Sequence, residues 1–159
     1  MPDWIEQAKQ QIEEEKERER QELEAIRLKR DIAREQAPIL FDSVAKAIAS
    51  DIAKFNHHFP KYDQKLSDLQ MLGPKKFQVR RAYDPSFRLV VELKDSPLGI
   101  AYSTETPSPV DGKTYAYSDT FSFHLNTASE VVSIVKHGQA LTPEDVSKQL
   151  LMPALPGRV

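Results

Sequence analysis

The chain contains no cysteine, so disulfides, thiol catalysis and thiolate metal sites are excluded. Glycine is nearly as scarce, five in 159 residues, and the five are scattered. Neither G-x-x-x-x-G-K-S/T nor G-x-G-x-x-G can be read, which leaves no glycine-rich loop to cradle a phosphate. H-E-x-x-H and G-x-S-x-G are missing as well. No apolar run approaches the ~20 residues that cross a bilayer, so no membrane span is expected. Excess charge is lacking too: the formal net charge is −2, which argues against a nucleic-acid binder relying on bulk charge but leaves room for a local basic patch. The first residues, Met1 to Glu6, hold no basic segment followed by an apolar run. No secretory signal is therefore expected, and the cytoplasm is the default compartment, although a chain with its leader removed would read the same.

What is abundant is helix-forming charge. From Asp3 to Ala37 there is no glycine and no internal proline, and Glu, Gln, Lys, Arg, Ala, Leu and Ile dominate. Asp3 is placed to cap the start, with Glu6 three residues on. Glu13 to Glu22 contains no apolar residue. Pairs such as Glu14–Arg18 and Glu17–Arg20 can hold it as a helix in water. One heptad line, Ile5, Ile12, Glu19, Ile26, Ala33 and Leu40, is nearly apolar; its companion, Ala8, Glu15, Glu22, Lys29 and Gln36, is not. A stable coiled-coil seam needs both. Residues 1–37 thus read either as a largely solvated helical arm or as a partner-dependent coiled coil. Trp4, Ile5, Ile12, Leu23 and Ile26 are its candidate contacts with a second copy or another protein, Trp4 being a possible docking anchor.

The rest reads as a body, residues 38–152, with a loose tail at 153–159. In a helix from Leu40 to Phe59, Phe41, Val44, Ile48, Ile52 and Phe55 form one apolar stripe that must be buried. Pro38 is preceded by no capping or turn chemistry, so one kinked helix is expected in place of two. It should end near His57–Phe59, ahead of Pro60. A short helix from Asp63 to Leu72, stopped by Gly73-Pro74, is expected next. From Lys76 the period changes to two. Phe77–Tyr83 and Phe87–Leu93 around Asp84-Pro85-Ser86 read as a hairpin. Strands at Gly99–Thr104, Lys113–Asn126 and Glu130–His137 follow, the last ended by Gly138. Thr142-Pro143-Glu144-Asp145 opens a final helix. The expected fold is α+β: a long kinked N-terminal helix, a five-stranded antiparallel β-meander packed on its C-terminal half, and a short C-terminal helix.

Candidate chemistry is thin. His57, His58, His124 and His137 offer no ligand spacing, so no metal and no cofactor are expected. Asp119 shares parity with Tyr115, Tyr117, Phe121 and Phe123 and, in an unbroken strand, points into the apolar face. A carboxylate there is costly unless paired, which is how ligand anchors look. A β-bulge at Ser118-Asp119-Thr120 would turn it to water, and that is the favoured expectation. Asp119, Tyr102, Tyr115 and Tyr117 are the candidate ligand-binding residues, for a small molecule held between helix 40–59 and the aromatic sheet face. Lys75, Lys76, Arg80, Arg81 and Arg88 gather on the first hairpin as a candidate anion or nucleic-acid patch, with nucleic acid the weaker prospect. No nucleophile, base and orienter converge, so catalysis ranks last. The leading expectation is a non-enzymatic interaction protein that self-associates or docks through its arm.

Overall fold

The computed structural model describes residues 3–83, 86–107, 111 and 113–155. A single helix, α1, runs from Trp4 to His58. Asp3 caps it, its carboxylate accepting from the Ile5 N–H at 3.0 Å, and the Phe59 N–H closes the last turn on the Phe55 carbonyl at 2.8 Å. Pro38 lies inside it, so the one-helix reading holds. Proline removes the donor that would meet the Arg34 carbonyl, and Arg34 is exposed, where water can replace that donor.

Seven strands follow, β1 (Gln70–Gly73), β2 (Lys76–Arg81), β3 (Phe87–Asp95), β4 (Leu98–Pro107), β5 (Thr114–Asn126), β6 (Val131–Lys136) and β7 (Gln139–Leu141). They form one sheet in chain order with every neighbouring pair antiparallel. The meander is therefore seven-stranded, not five-stranded. Both additional strands sit beside turns that read as stops. Gly73-Pro74 is not a helix terminus: Pro74 and Lys75 turn the chain and Gly73 pairs with Lys76. The expected helix from Asp63 to Leu72 is absent; its apolar residues are consumed by β1 and by Leu66, which enters the core. Gly138 does not end the sheet either. His137 and Gly138 both have positive φ, 51° and 77°, the signature of a two-residue type I′ hairpin. Lys136 pairs with Gln139 across it. The Asp84-Pro85 turn expected between β2 and β3 lies outside the described residues.

Register assigns the two faces of the sheet. Phe77, Val91, Tyr102 and Asp119 are successive cross-strand partners, as are Leu93, Ile100 and Phe121. Partners share a face, so these residues lie on the side that α1 covers. Phe41, Val44, Ile48, Ile52 and Phe55 are buried against it as the periodicity predicts, with the Phe41 and Phe77 rings 5.4 Å apart.

Two carboxamides fasten the covered stretch of α1. Gln36 donates through Nε2 to the Glu130 carbonyl at 2.6 Å and accepts through Oε1 from the Val132 N–H at 2.9 Å. Asn56 does the same to Leu66, with Nδ2 donating to its carbonyl at 3.0 Å and Oδ1 accepting from its N–H at 2.9 Å. Each amide replaces a peptide unit and satisfies a donor and an acceptor at once.

The final helix, α2 (Pro143–Leu151), starts on a reciprocal capping box between Thr142 and Asp145. It buries Val146, Leu150 and Leu151 and is tied to α1 by the buried Ser147 hydroxyl, which donates to Asp51 at 2.7 Å. A 3-10 turn, Met152–Ala154, continues from it. The tail expected from residue 153 is thus partly docked: Ala154 is buried, and its carbonyl accepts from Arg81 Nη1 at 2.7 Å. Residues 156–159 lie outside the described residues.

Replacing Asn56 by alanine strands the N–H and carbonyl of a buried residue, Leu66. Asn56→Ala is expected to lower unfolding free energy by about 1–3 kcal/mol in denaturant titration. The exposed neighbour substitution Lys54→Ala should stay within about 0.5 kcal/mol.

Candidate functional site

The arm is helical and uncovered. Every residue from 4 to 31 is exposed except Ala8, which is half-buried. Trp4, Ile5, Ile12, Leu23 and Ile26 are each more than half exposed, an unusual state for large apolar side chains gathered on one element. Because α1 is one helix, the phase of its buried stripe carries into the arm. Counting back from Ala37 in steps of three and four reaches Ala33, Arg30, Ile26, Leu23, Glu19, Glu15, Ile12, Ala8 and Ile5. The arm therefore has two apolar patches on the face that, farther along, covers the sheet. Glu15 and Glu19 separate them. The heptad test misses this alignment because the stripe follows the 3.6-residue period of a straight helix, not the 3.5 of a supercoil. Trp4 precedes the stripe by one position. Away from it, Arg20 bridges Glu17 at 2.6 Å and Glu24 at 3.1 Å, exposed pairs that favour helix only modestly.

A second cluster occupies the inner face of the sheet beside the buried Phe121. The β4–β5 register runs unbroken from Gly99↔Ser122 to Pro107↔Thr114. The bulge expected at Ser118-Asp119-Thr120 is therefore not formed, and Asp119 stays on the face of Tyr117 and Phe121. Its side chain is half-buried, 33% exposed, and meets Lys136, whose Nζ lies 2.9 Å from Oδ2. Tyr117 donates its hydroxyl to the same carboxylate at 3.1 Å and the Thr120 N–H donates to Oδ1 at 2.8 Å. Lys136 also donates to the Tyr102 hydroxyl at 2.7 Å and sits 4.7 Å from the Phe121 ring centroid, a cation–π distance.

These contacts set the charge states. The hydrogen bond from Lys136, followed by that from the Thr120 N–H, pulls Asp119 from its ordinary 3.8 to about 2. Burial pulls Lys136 down, but its bonds to Tyr102 and Asp119 outweigh this and leave it raised. The Asp119 hydrogen bond raises Tyr117. Asp119 and Lys136 are held charged and Tyr117 is held neutral, so none is poised to exchange a proton near pH 7. The arrangement locks a corner of the sheet and presents a compensated ion pair among aromatic rings.

Of the four candidate ligand residues, Tyr102, Tyr117 and Asp119 meet. Tyr115 stands apart, its hydroxyl donating to Asp111 at 2.9 Å. Lys136 was missed, although folding residues 113–137 about a turn near 127–129 places it level with Asp119 to within a few residues. Phe41, Val44, Ile48, Ile52 and Phe55 are buried between helix 40–59 and the sheet, and two described hollows lie elsewhere. One is an open groove of about 920 Å³ between α1 and α2, lined by Phe55, Phe59, Leu151 and Met152 among others. Another, about 440 Å³, is on the outer sheet face over Val90, Ala101, Ser103 and Thr120.

The five basic residues of the hairpin do not share one exposed face. Arg81 faces inward, is buried and serves Ala154 and the Gln64 carbonyl; burial lowers its pKa without discharging it. Lys75 pairs with Asp95 at 3.3 Å and Arg88 with Glu105 at 3.8 Å. Arg80 and Arg88 are exposed cross-strand partners, while Lys76 lies opposite Glu92. No described helix is long and apolar enough to cross a membrane.

No family model, no curated protein and no solved structure matches this chain.

The Asp119–Lys136 pair gives a pH signature. The folded-state carboxyl lies below its ordinary value, so its stabilisation is complete above that value and is lost as pH falls through about 2. In Lys136→Met the Asp119 carboxyl should titrate upward, toward or above 3.8, as read by carbon-13 carboxyl shifts. An unchanged midpoint would show that Lys136 does not hold the charge.

Proposed function

We propose that this chain is a non-enzymatic interaction protein, in which the α+β body anchors a helical rod and the rod associates with its counterpart on a second copy. The observation that carries this reading is the exposed stripe of Ile5, Ile12, Leu23 and Ile26, in phase with the buried stripe of the same helix. The arm helix, roughly 50 Å from residue 4 to residue 37 at ~1.5 Å per residue, would in isolation have to meet its own nucleation cost. Here it grows from a turn already fastened by Gln36, so the nucleation cost is met by the body and the apolar patches are presented in fixed phase. The interrupting Glu15 and Glu19 make any pairing weak and specific in register, as polar residues do in helix seams. The polar network at Asp119, with both charges held, supports a structural role for that corner over a catalytic one.

Sedimentation of the full chain over a wide concentration range tests the proposal. The expected outcome is reversible association, with the double substitution Leu23→Asp/Ile26→Asp weakening it by about tenfold or more, since two desolvated apolar contacts amount to at least ~1.4 kcal/mol. The folded body, read by circular dichroism and melting temperature, should be unaffected. Association insensitive to these substitutions, or none at any concentration, removes the arm as a self-association element.

A further inference from the structure

The sheet carries an open edge inside it. The 13-residue β5 pairs with β4 along the run from 114 to 122, but β6 pairs with β5 only from Ser122 to Asn126. Among the described residues, no strand pairs with the other side of residues 114–120, where the Thr120 N–H meets only the Asp119 carboxylate. An unpaired strand edge templates the addition of another strand, and proteins blunt such edges with shortness, irregularity, proline or charge. The two terminal strands comply: β1 has four residues and a register shift between Met71 and Gly73, and β7 has three residues. The open half of β5 does not. It is long and regular, has no proline, lysine or arginine from Tyr115 to Asn126, and exposes Tyr115 and Tyr117. Its one charge, Asp119, is compensated by Lys136.

We infer that the free edge of β5 is a second interface, on which the same edge of another copy adds in antiparallel pairing about a two-fold axis at Ala116. This register places Tyr115 opposite Tyr117 twice, Thr114 opposite Ser118 twice, and small Ala116 against itself. It also sets Lys113 opposite Asp119 twice, an attraction between opposite charges at both ends of the paired segment. The Asp119 carboxylate accepts three hydrogen bonds within its own chain and has room for a fourth. An isologous contact satisfies both edges at once, which a lone foreign strand would not do for its own outer side. The inference rests on β5 and is independent of the arm.

The absence of cysteine makes the register directly testable. Ala116→Cys in the full chain, at an exposed position, puts two thiols face to face. Ser118→Cys leaves its two copies about 13 Å apart along the strands, beyond disulfide reach. Under mild oxidation, Ala116→Cys should form a covalent dimer, Ser118→Cys should not, and Thr114→Cys/Ser118→Cys should. Adding Lys113→Glu to Ala116→Cys sets like charges opposite each other and should slow crosslinking by roughly tenfold or more, while adding Lys113→Arg should not. Equal rates for the two single cysteines, or no crosslinking by Ala116→Cys in a chain with unchanged circular dichroism, would overturn the pairing. Repeating Ala116→Cys with Leu23→Asp/Ile26→Asp separates the two interfaces: crosslinking that survives there supports the edge in its own right, and crosslinking lost there assigns the contact to the arm and overturns the edge.

Discussion

One apolar stripe carries the body: Phe41, Val44, Ile48, Ile52 and Phe55 against the inner face of the sheet. Removing side chains of this size from water contributes about 1.5–3 kcal/mol each. The stripe does not set its own limits, because the helix runs far beyond it. Gln36 and Asn56 mark the ends, each turning a side-chain amide into a substitute backbone partner. Between them the helix is core; before them it is surface. α2 is secondary in this scheme, joined to α1 through Ser147 and Asp51 and completing the cover with Val146 and Leu150.

Period and capping were legible in the residues. The 3.6-residue stripe, the alternation of Phe87–Leu93, and the Thr142-Pro143 start are local signals, and the elements formed where they point. What was not legible depended on partners distant in the chain. Gly73-Pro74 and His137-Gly138 look the same whether a chain stops or turns back, and only the pairing of Gly73 with Lys76 and of Lys136 with Gln139 decides. A bulge at Asp119 was favoured because a carboxylate among aromatic residues is costly. The cost is met by Lys136 on the next strand, which a turn near residues 127–129 brings to within a few residues of Asp119 and which the β5–β6 register then sets beside it. Gln36 and Asn56 carried no signal at all, since polar residues on a helix read as solvated.

The basic hairpin illustrates the same limit from the other side. Five cations close in sequence suggest a patch, yet strand alternation sends Arg81 to the interior while Arg80 stays outside, and acids on β3 and β4 answer two of the others. Charge counted along a strand overstates the field that any one face projects.

The uninterrupted course of α1 through Pro38 has a geometric corollary. With no joint between rod and body, the azimuth of the arm's apolar side is dictated by packing some 30 residues away. A helix advances about 100° per residue, so one residue gained or lost within the exposed turn from Arg27 to Asp31 would leave Gln36 and the core in place yet swing Leu23 and Ile26 more than a quarter-turn around the axis. The composition of the arm is thus freer to drift than its length, which is bound to the core like the timing of a gear.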